Sequence, residues 1–162
     1  MSKASNWHWF LLSVFIVMAD QLTKYMAEVQ LTAYQPFPVL PMFNLTLAYN
    51  TGAAFSFLSH AGDWHRWFFA GFSFCMSVFF VVWMVRLPAK ACLQLTAISL
   101  ILGGTLGNFF DRLFSGHVID FIQLYYHQYY WPVFNLADSA ICVGAVLLLL
   151  DLSKNNPKRQ SI

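Results

Sequence analysis

Four aspartates lie within or directly beside long apolar stretches of this chain. They are Asp20, Asp111, Asp120 and Asp138. An isolated carboxylate is costly at membrane depth, so ionisable residues there usually face a protein interior or a wet cavity and mark functional sites. Two carboxylates brought together in a low dielectric can share one proton, which is the chemistry of an aspartyl hydrolase. These four side chains are therefore the first candidates for a catalytic centre.

The composition of the chain is that of a polytopic membrane protein. Of its 162 residues, 59% are hydrophobic and 10% are charged, whereas a soluble domain carries about a quarter charged residues. The net charge of +2 is small and scattered, so no nucleic acid partner is expected. The cysteines Cys75, Cys92 and Cys142 lie in or beside apolar runs, and we interpret them as packing residues rather than as a disulfide framework.

Four stretches are apolar and long enough to cross about 30 Å of hydrocarbon, which takes about 20 helical residues. We place these spans at about residues 8–26, 67–85, 93–110 and 134–150. The first is predicted to be retained, because no convincing small-x-small cleavage site follows it. The sequence thus predicts a mainly α membrane protein with four transmembrane helices. We expect one domain over residues 1–162, with a disordered tail at about 153–162.

The placement of lysine and arginine predicts the orientation in the membrane. Six of the nine basic residues fall on one side of the spans, and Lys24, Arg66 and Arg112 fall on the other. By the positive-inside rule, both termini are then cytoplasmic. Six of the seven acidic residues fall on or toward the outer side, with Asp151 as the exception. We therefore expect the chemistry to face outward.

Helical rise places the aspartates in one layer. Asp138 is thirteen residues from Asp151, which is about 20 Å at about 1.5 Å per residue. If Asp151 marks the inner boundary, Asp138 lies about 10 Å beneath the outer surface of a core about 30 Å thick. Asp20 comes out at a similar depth, and Asp111 at the outer boundary. Asp120 follows the third span in a short segment that could fold back over the helix ends.

A long connection, residues 27–66, joins the first two spans on the outer side. Apolar residues alternate with polar or small ones over residues 43–49, a period of two that predicts a strand. Three prolines just before it argue against helix there. We expect a small β-containing extracytoplasmic platform between helices 1 and 2, lying on the bilayer.

Two motifs precede the second span. Asp20 and Lys24 stand at i and i+4 on one helix face, which predicts an ion pair that neutralises two charges in lipid. Residues 50–55 follow the predicted strand, and their small side chains allow close backbone approach while Asn50 offers a donor and an acceptor. That segment is either an ordinary turn or a peptide-binding element.

The third span ends in residues 103–112, a run with two signals. Two of its glycines are four residues apart, which favours close helix packing. Asn108, Asp111 and Arg112 lie about one turn apart at the outer helix end. Asp111 and Arg112 could pair with each other or with Lys24. Alternatively, Arg112 or Asn108 could hydrogen-bond a substrate carbonyl.

The two remaining aspartates each have a structural alternative. Asp120 has apolar neighbours on both sides within residues 118–122, and it is either a site residue or a buried aspartate that caps a turn. Asp138 follows Asn135 by three residues at the start of the fourth span, in the pattern of a capping box. The depth estimate argues against a cap, because a cap should lie at the interface and not about 10 Å below it.

Other hydrolytic chemistries lack their signatures. The chain has no His-Glu-x-x-His run, and its five histidines show no ligand spacing, so no metal is expected. It also has no Gly-x-Ser-x-Gly nucleophile elbow.

The motifs, in this order and on this four-span layout, resemble the bacterial lipoprotein signal peptidase (signal peptidase II) family. The matching runs are residues 20–24, 50–55, 103–112, 118–121 and 134–138. The resemblance implies that Asp120 and Asp138 are the catalytic pair. It also implies two further sets, which are the substrate-binding residues Asn50, Gly52, Asn108, Arg112, Asn135 and Ala137, and the supporting residues Asp20, Lys24 and Asp111.

The resemblance further implies an aspartic endopeptidase of the bacterial cytoplasmic (inner) membrane, with its active site toward the extracytoplasmic face. Its substrates would be diacylglyceryl-modified prolipoproteins, cleaved just before the lipidated cysteine. Water is the co-substrate, so no metal or organic cofactor is expected. Membrane lipids and globomycin-type inhibitors, which mimic the substrate, would be the other partners.

Two alternatives belong to other classes of protein. A small oligomeric proton or cation transporter, or a channel subunit, could use the four aspartates as a path through the membrane. That function predicts acids at several depths, whereas here they gather at one face. A lipoprotein-binding chaperone without activity is the third possibility, which an activity assay would exclude.

Overall fold

The computed structural model describes residues 6–52 and 64–154. Within these ranges it contains the helices α1 (Trp7–Gln30), α2 (Trp64–Arg86), α3 (Cys92–Phe114) and α4 (Leu136–Lys154). All four are long and apolar enough to cross a membrane, which confirms the predicted fold class. Helix α4 extends two residues into the predicted tail; residues 155–162, and the part of the 50–55 motif from 53 onward, lie outside the described residues.

Three helices continue past the ends that hydropathy predicts. Helix α1 runs to Gln30 rather than to about 26, α3 to Phe114 rather than to about 110, and α4 to Lys154 rather than to about 150. The last turns of all three carry charged side chains, which lower hydropathy without interrupting the helical hydrogen bonds. Helix α4 begins at Leu136, two residues later than expected.

Helix α3 is central and packs against the other three helices. Its glycines make this possible, as the small-xxx-small spacing predicts. A Cβ at Gly103 would lie 2.7 Å from the Cβ of Ile16, and one at Gly107 would lie 2.5 Å from Oδ2 of Asp20. The three cysteines are free, as predicted, but they lie exposed on helix surfaces instead of packing inside.

A four-stranded antiparallel sheet covers one end of the bundle. Its strands, in the order β1-β2-β3-β4, are β1 (Phe37–Leu40), β2 (Phe43–Asn50), β3 (Val118–Tyr126) and β4 (Tyr129–Tyr130). Strand β2 is the one that the alternation predicts. The β-containing segment expected between helices 1 and 2 is present as β1 and β2, and the sheet is completed by β3 and β4 from the connection between α3 and α4.

The sheet is fixed to the bundle by a small apolar core. Ala27 of α1 packs with Leu47 of β2 and with Ile119 and Phe121 of β3. A larger core holds the far end of the bundle, around Met84, Leu95 and Ile98. We call the end that carries the sheet, where α1 and α3 finish and α2 and α4 start, the sheet end. The ends of all four helices therefore lie close to the sheet.

Candidate active site

Asp120 is buried near the start of β3, at the sheet end. Its side chain is 2% exposed. Oδ2 accepts a hydrogen bond from Nδ2 of Asn50 at 3.0 Å, and Oδ1 accepts one from Nδ2 of Asn135 at 2.8 Å. Burial raises the pKa of Asp120 to about 7; the hydrogen bond from Asn50 opposes this rise, and the charge of Asp138 adds to it. Asp120 can therefore exchange a proton near neutral pH.

Asp138 lies in the first turn of α4, and it is partly exposed. Its Oδ1 accepts a hydrogen bond from Nδ2 of Asn108 at 2.7 Å, and its Oδ2 accepts one from the backbone N–H of Asn135 at 3.3 Å. Both oxygens of this carboxylate thus face N–H donors. Arg112 of α3 lies close enough to interact electrostatically with Asp138.

Asn135 and Asp138 form the capping box that their spacing suggests. The backbone N–H of Asp138 donates to Oδ1 of Asn135 at 2.8 Å, and the backbone N–H of Asn135 donates to Oδ2 of Asp138. The depth argument against a cap is therefore wrong. A cap needs a partner for each free N–H group and does not need water, and Asn135 provides that partner while fully buried.

Asn135 joins the two carboxylates. Its Nδ2 donates to Asp120 at 2.8 Å and to Oδ1 of Asn108 at 3.1 Å, while its backbone and Oδ1 bind Asp138. Asp120 and Asp138, which are eighteen positions apart in the sequence, are thus linked through one buried asparagine. Sequence spacing alone does not predict this bridge.

Residues 50–52, the part of the 50–55 motif that the structure describes, form a tight turn. The backbone N–H of Gly52 donates to Oδ1 of Asn50 at 2.9 Å. Gly52 has φ +90°, and a Cβ there would lie 2.7 Å from Cε2 of Phe69. The turn fixes which end of the Asn50 amide faces Asp120. Its use for peptide binding stays a prediction.

Lys24 is held between two carboxylates inside the protein. Its ammonium lies 2.8 Å from Asp20 and 2.7 Å from Asp111, and the side chain is 1% exposed. The predicted Asp20–Lys24 pair is therefore present, and of the pairings open to Asp111 the one with Lys24 is formed. Asp20 also accepts the backbone N–H of Ala137 at 2.9 Å, which ties α1 to the first turn of α4.

Arg112 lies in the last turn of α3. Its Nη1 donates to the backbone carbonyl of Asn108 at 3.2 Å, and its guanidinium lies over the ring of Phe69, 5.6 Å from the centroid. Arg66 supports this turn by donating to the carbonyl oxygens of Arg112 at 2.9 Å and Leu113 at 2.5 Å. These capping bonds satisfy orphan carbonyls at a helix C-terminus.

Sequence reasoning missed three residues that build this region. Arg66 and Phe69 lie in an aromatic-rich run that is equally typical of a membrane interface. Gln21 donates to Asp111 at 2.8 Å and to the carbonyl of Gly107 at 3.2 Å. Its place next to Asp20 is the only sequence signal for it. Within the described ranges, no three or more His, Cys, Asp or Glu side chains are grouped so that they could hold a metal ion.

The fold is that of an integral membrane protein with four helices long and apolar enough to span a membrane, and two carboxylates bridged by an asparagine lie together at one end of it. A family model described as Signal peptidase (SPase) II matches residues 12–154. The chain therefore belongs to the signal peptidase II family. Membership confirms the prediction of a membrane peptidase, and it does not favour the transporter alternative.

Individual relatives agree with the family match. A protein named lipoprotein signal peptidase from Acinetobacter baumannii is 49% identical over 94% of this chain and 89% of its own length. Another of the same name from Ectopseudomonas mendocina is 48% identical over 96% of this chain and 93% of its own. A solved structure described as a bacterial membrane enzyme at 1.9 Å resolution superposes with a TM-score of 0.82 at 33% identity, covering 92% of this chain and 94% of that one.

Proposed function

We propose that this chain is an aspartic endopeptidase that cleaves diacylglyceryl-modified prolipoproteins just before the lipidated cysteine. The observation that carries the proposal is the bridge through Asn135 between Asp120 and Asp138. Family membership and relatives named lipoprotein signal peptidase support the substrate class. We infer a single protease domain over residues 1–162.

The protonation states of the pair follow from their surroundings. Asp120, whose pKa is about 7, holds the proton that the two carboxyl groups share. Asp138 takes a proton from water, and the resulting hydroxide forms a bond to the scissile carbonyl carbon. Asp120 gives its proton to the carbonyl oxygen, which yields a neutral tetrahedral diol. No metal or organic cofactor takes part in these steps.

Collapse of the diol returns both groups to their starting states. The C–N bond breaks as Asp138 gives its proton to the leaving nitrogen. Asp120 takes back a proton from one hydroxyl, and the carbonyl forms again. The products are a free carboxyl group on the signal peptide and a free amine on the lipidated cysteine, so one water is consumed for each bond cut.

The six residues predicted to bind substrate divide into two groups by exposure. Asn108, Asn135 and Ala137 are buried, and we propose that they hold the carboxylates and the α4 terminus in place beside the peptide. Asn50, Gly52 and Arg112 are more open, and they line the side from which the peptide approaches. Arg112 donates to a substrate carbonyl in this proposal, since a guanidinium has five N–H donors and the described residues show one hydrogen bond from it, to the carbonyl of Asn108.

We propose an orientation with both termini in the cytoplasm and the sheet end at the extracytoplasmic face of the bacterial inner membrane. The distribution of lysine and arginine supports it. Exposed aromatic side chains on the sheet, including Phe37, Tyr129 and Tyr130, suit contact with membrane lipids. Globomycin-type inhibitors would occupy the same site as the substrate.

Labelling of single cysteines placed at residues 35 and 90 with a membrane-impermeant reagent tests the orientation. We expect reaction at residue 35 in intact cells, and reaction at residue 90 instead would reverse the orientation.

The lipid on the substrate has a physical role in this proposal. A diacylglyceryl anchor holds the scissile bond at the membrane surface and replaces a three-dimensional search by positioning. The test compares cleavage of one prolipoprotein with and without the diacylglyceryl group by the purified protein in detergent. We expect the unlipidated form to be cut much more slowly; equal rates would contradict the substrate assignment.

A further inference from the structure

The side-chain amide of Asn108 has a fixed orientation. Its Oδ1 lies 3.0 Å from Nζ of Lys24 and 3.1 Å from Nδ2 of Asn135. Both neighbours can only donate hydrogen bonds at these atoms. The amide nitrogen of Asn108 therefore points the other way, to Oδ1 of Asp138 at 2.7 Å. A rotated amide would put its nitrogen, a donor, against the two donors Lys24 and Asn135 and its oxygen against the carboxylate of Asp138.

Lys24 is well suited to fix this orientation. An ammonium group has three donors and no acceptor. The three acceptors around Nζ are Asp20 at 2.8 Å, Asp111 at 2.7 Å and Oδ1 of Asn108 at 3.0 Å. Since the side chain is 1% exposed, water does not compete for these bonds. The carboxylates of Asp20 and Asp111 accept two of the ammonium hydrogens, and the third hydrogen is directed at the amide oxygen of Asn108.

The charged groups around this network come from each packed element. Helix α1 supplies Asp20 and Lys24, α3 supplies Asp111 and Arg112, and strand β3 and helix α4 supply the catalytic pair itself. Lys24 donates to the side-chain amide of Asn108, and the nitrogen of that amide in turn donates to the carboxylate of Asp138. Its effect on the pair is therefore carried through Asn108 as well as through charge.

We infer that Lys24 is a positioning residue, which holds the Asn108 amide with its N–H toward Asp138 and so directs the proton shared by the catalytic pair to Asp120. This inference rests on the proposed function of the pair. An amide turned the other way would offer Asp138 an oxygen, which is favourable only when that carboxyl group carries the proton. The orientation of one buried amide thus decides which aspartate acts as the acid.

A charge-matched pair of double variants separates this role from simple neutralisation. Lys24→Met with Asp20→Asn keeps the net charge of the Asp20, Lys24 and Asp111 group and removes the donor to Asn108. Lys24→Gln with Asp20→Asn has the same charge and keeps an N–H donor at residue 24. Thermal unfolding in detergent establishes that both variants fold.

Two readouts decide the outcome. We expect the Met variant to lose at least about tenfold in kcat with little change in KM, as for a misaligned reacting group, and the Gln variant to recover part of that loss. The second readout is a pH titration without substrate, followed by the infrared band of protonated carboxyl groups. The pH at the midpoint of this titration should differ between the Met variant and the Gln variant. Identical behaviour of the two variants in both readouts would overturn the inference.

The infrared readout keeps the inference separate from the proposed function. If wild-type protein does not cleave the lipidated prolipoprotein, the proposed function fails, but the carboxyl band still reports where the proton lies. If the Met variant does not fold, the Asn108→Asp variant is used in its place. In that variant one carboxyl oxygen at residue 108 still accepts from Lys24, and the other oxygen faces Asp138 where the wild type has an N–H donor. We expect a second protonated carboxyl group in that variant, and an unchanged carboxyl titration would contradict the inference.

Discussion

The amide nitrogen of Asn50 donates across the sheet to Oδ2 of Asp120, at 3.0 Å. The two residues lie on neighbouring antiparallel strands, where Asp120 is paired with Ala48 and Asn50 with Val118. Since the other end of the Asn50 amide accepts the N–H of Gly52, its nitrogen stays directed at the carboxyl group. This bond lowers the pKa of Asp120 against the larger effect of burial, and the net result is a value of about 7.

Replacing Asn50 should move the alkaline limb of the pH–rate profile. The proposed acid must be protonated, so kcat/KM falls as pH rises through the pKa of Asp120, about 7 in the wild type. Asn50→Ala removes a donor to the ionised form and raises this pKa further, so activity should persist to higher pH. The measurement is kcat/KM against pH with a lipidated prolipoprotein.

Asn44→Ala is the matched control for that variant. Asn44 lies on the same strand, and its side-chain amide donates to Gln123 rather than to Asp120. Its profile should keep the wild-type alkaline limb. A limb that stays in place or moves to lower pH in Asn50→Ala would show that Asp120 is not the acid.

Gly52→Ala should destabilise the turn that holds Asn50. Gly52 has φ +90°, and a Cβ there would lie 2.7 Å from the Phe69 ring. A non-glycine residue in a left-handed conformation costs about 1–2 kcal/mol, and the contact with the ring adds to this. We expect a lower unfolding temperature in detergent and reduced cleavage.

Gly71→Ala provides the comparison, since a Cβ at this helical position meets nothing within 4 Å. It should be neutral or slightly stabilising, because alanine favours helix over glycine by about 1 kcal/mol. Equal effects of the two substitutions on the unfolding temperature would contradict the structural role assigned to Gly52.

Arg66→Met should weaken the outer turn of α3. The substitution removes two hydrogen bonds to the carbonyl oxygens of Arg112 and Leu113, and bonds to a charged donor contribute about 1.5–3 kcal/mol each. We expect a lower unfolding temperature and a raised KM, because Arg112 is carried on this turn. Arg86→Met, at the other end of α2, is the control, and it should leave KM at the wild-type value. A wild-type KM in Arg66→Met would show that Arg66 does not position Arg112.

The sequence predicts the helices better than the sheet. Four apolar stretches of helical length can be recognised from hydropathy alone, and the alternation before Asn50 identifies β2. Strand β3 gives no such signal. Its residues 118–121 are all buried, so apolar side chains occupy both faces and the period of two disappears.

The candidate site could be predicted as a set of residues but not as a network. Apolar surroundings single out four aspartates as costly carboxylates, and the family resemblance selects Asp120 and Asp138 among them. The i, i+4 spacing predicts the pair of Asp20 with Lys24. The third partner of that pair, Asp111, is contributed by another helix. Likewise, the bridge through Asn135 depends on α4 starting beside β3, which is a tertiary contact that local spacing does not encode.

The most direct test of the catalytic pair is the cleavage of a diacylglyceryl-modified prolipoprotein by purified wild type, Asp120→Asn and Asp138→Asn in detergent. Asp151→Asn, at the opposite end of α4, is the control for loss of a carboxylate, and a parallel set of reactions contains EDTA. Unfolding temperatures establish that every variant is folded. We expect cleavage by the wild type and Asp151→Asn with or without EDTA, and almost none by the other two variants. Substantial cleavage by folded Asp120→Asn and Asp138→Asn would contradict the proposed catalytic pair.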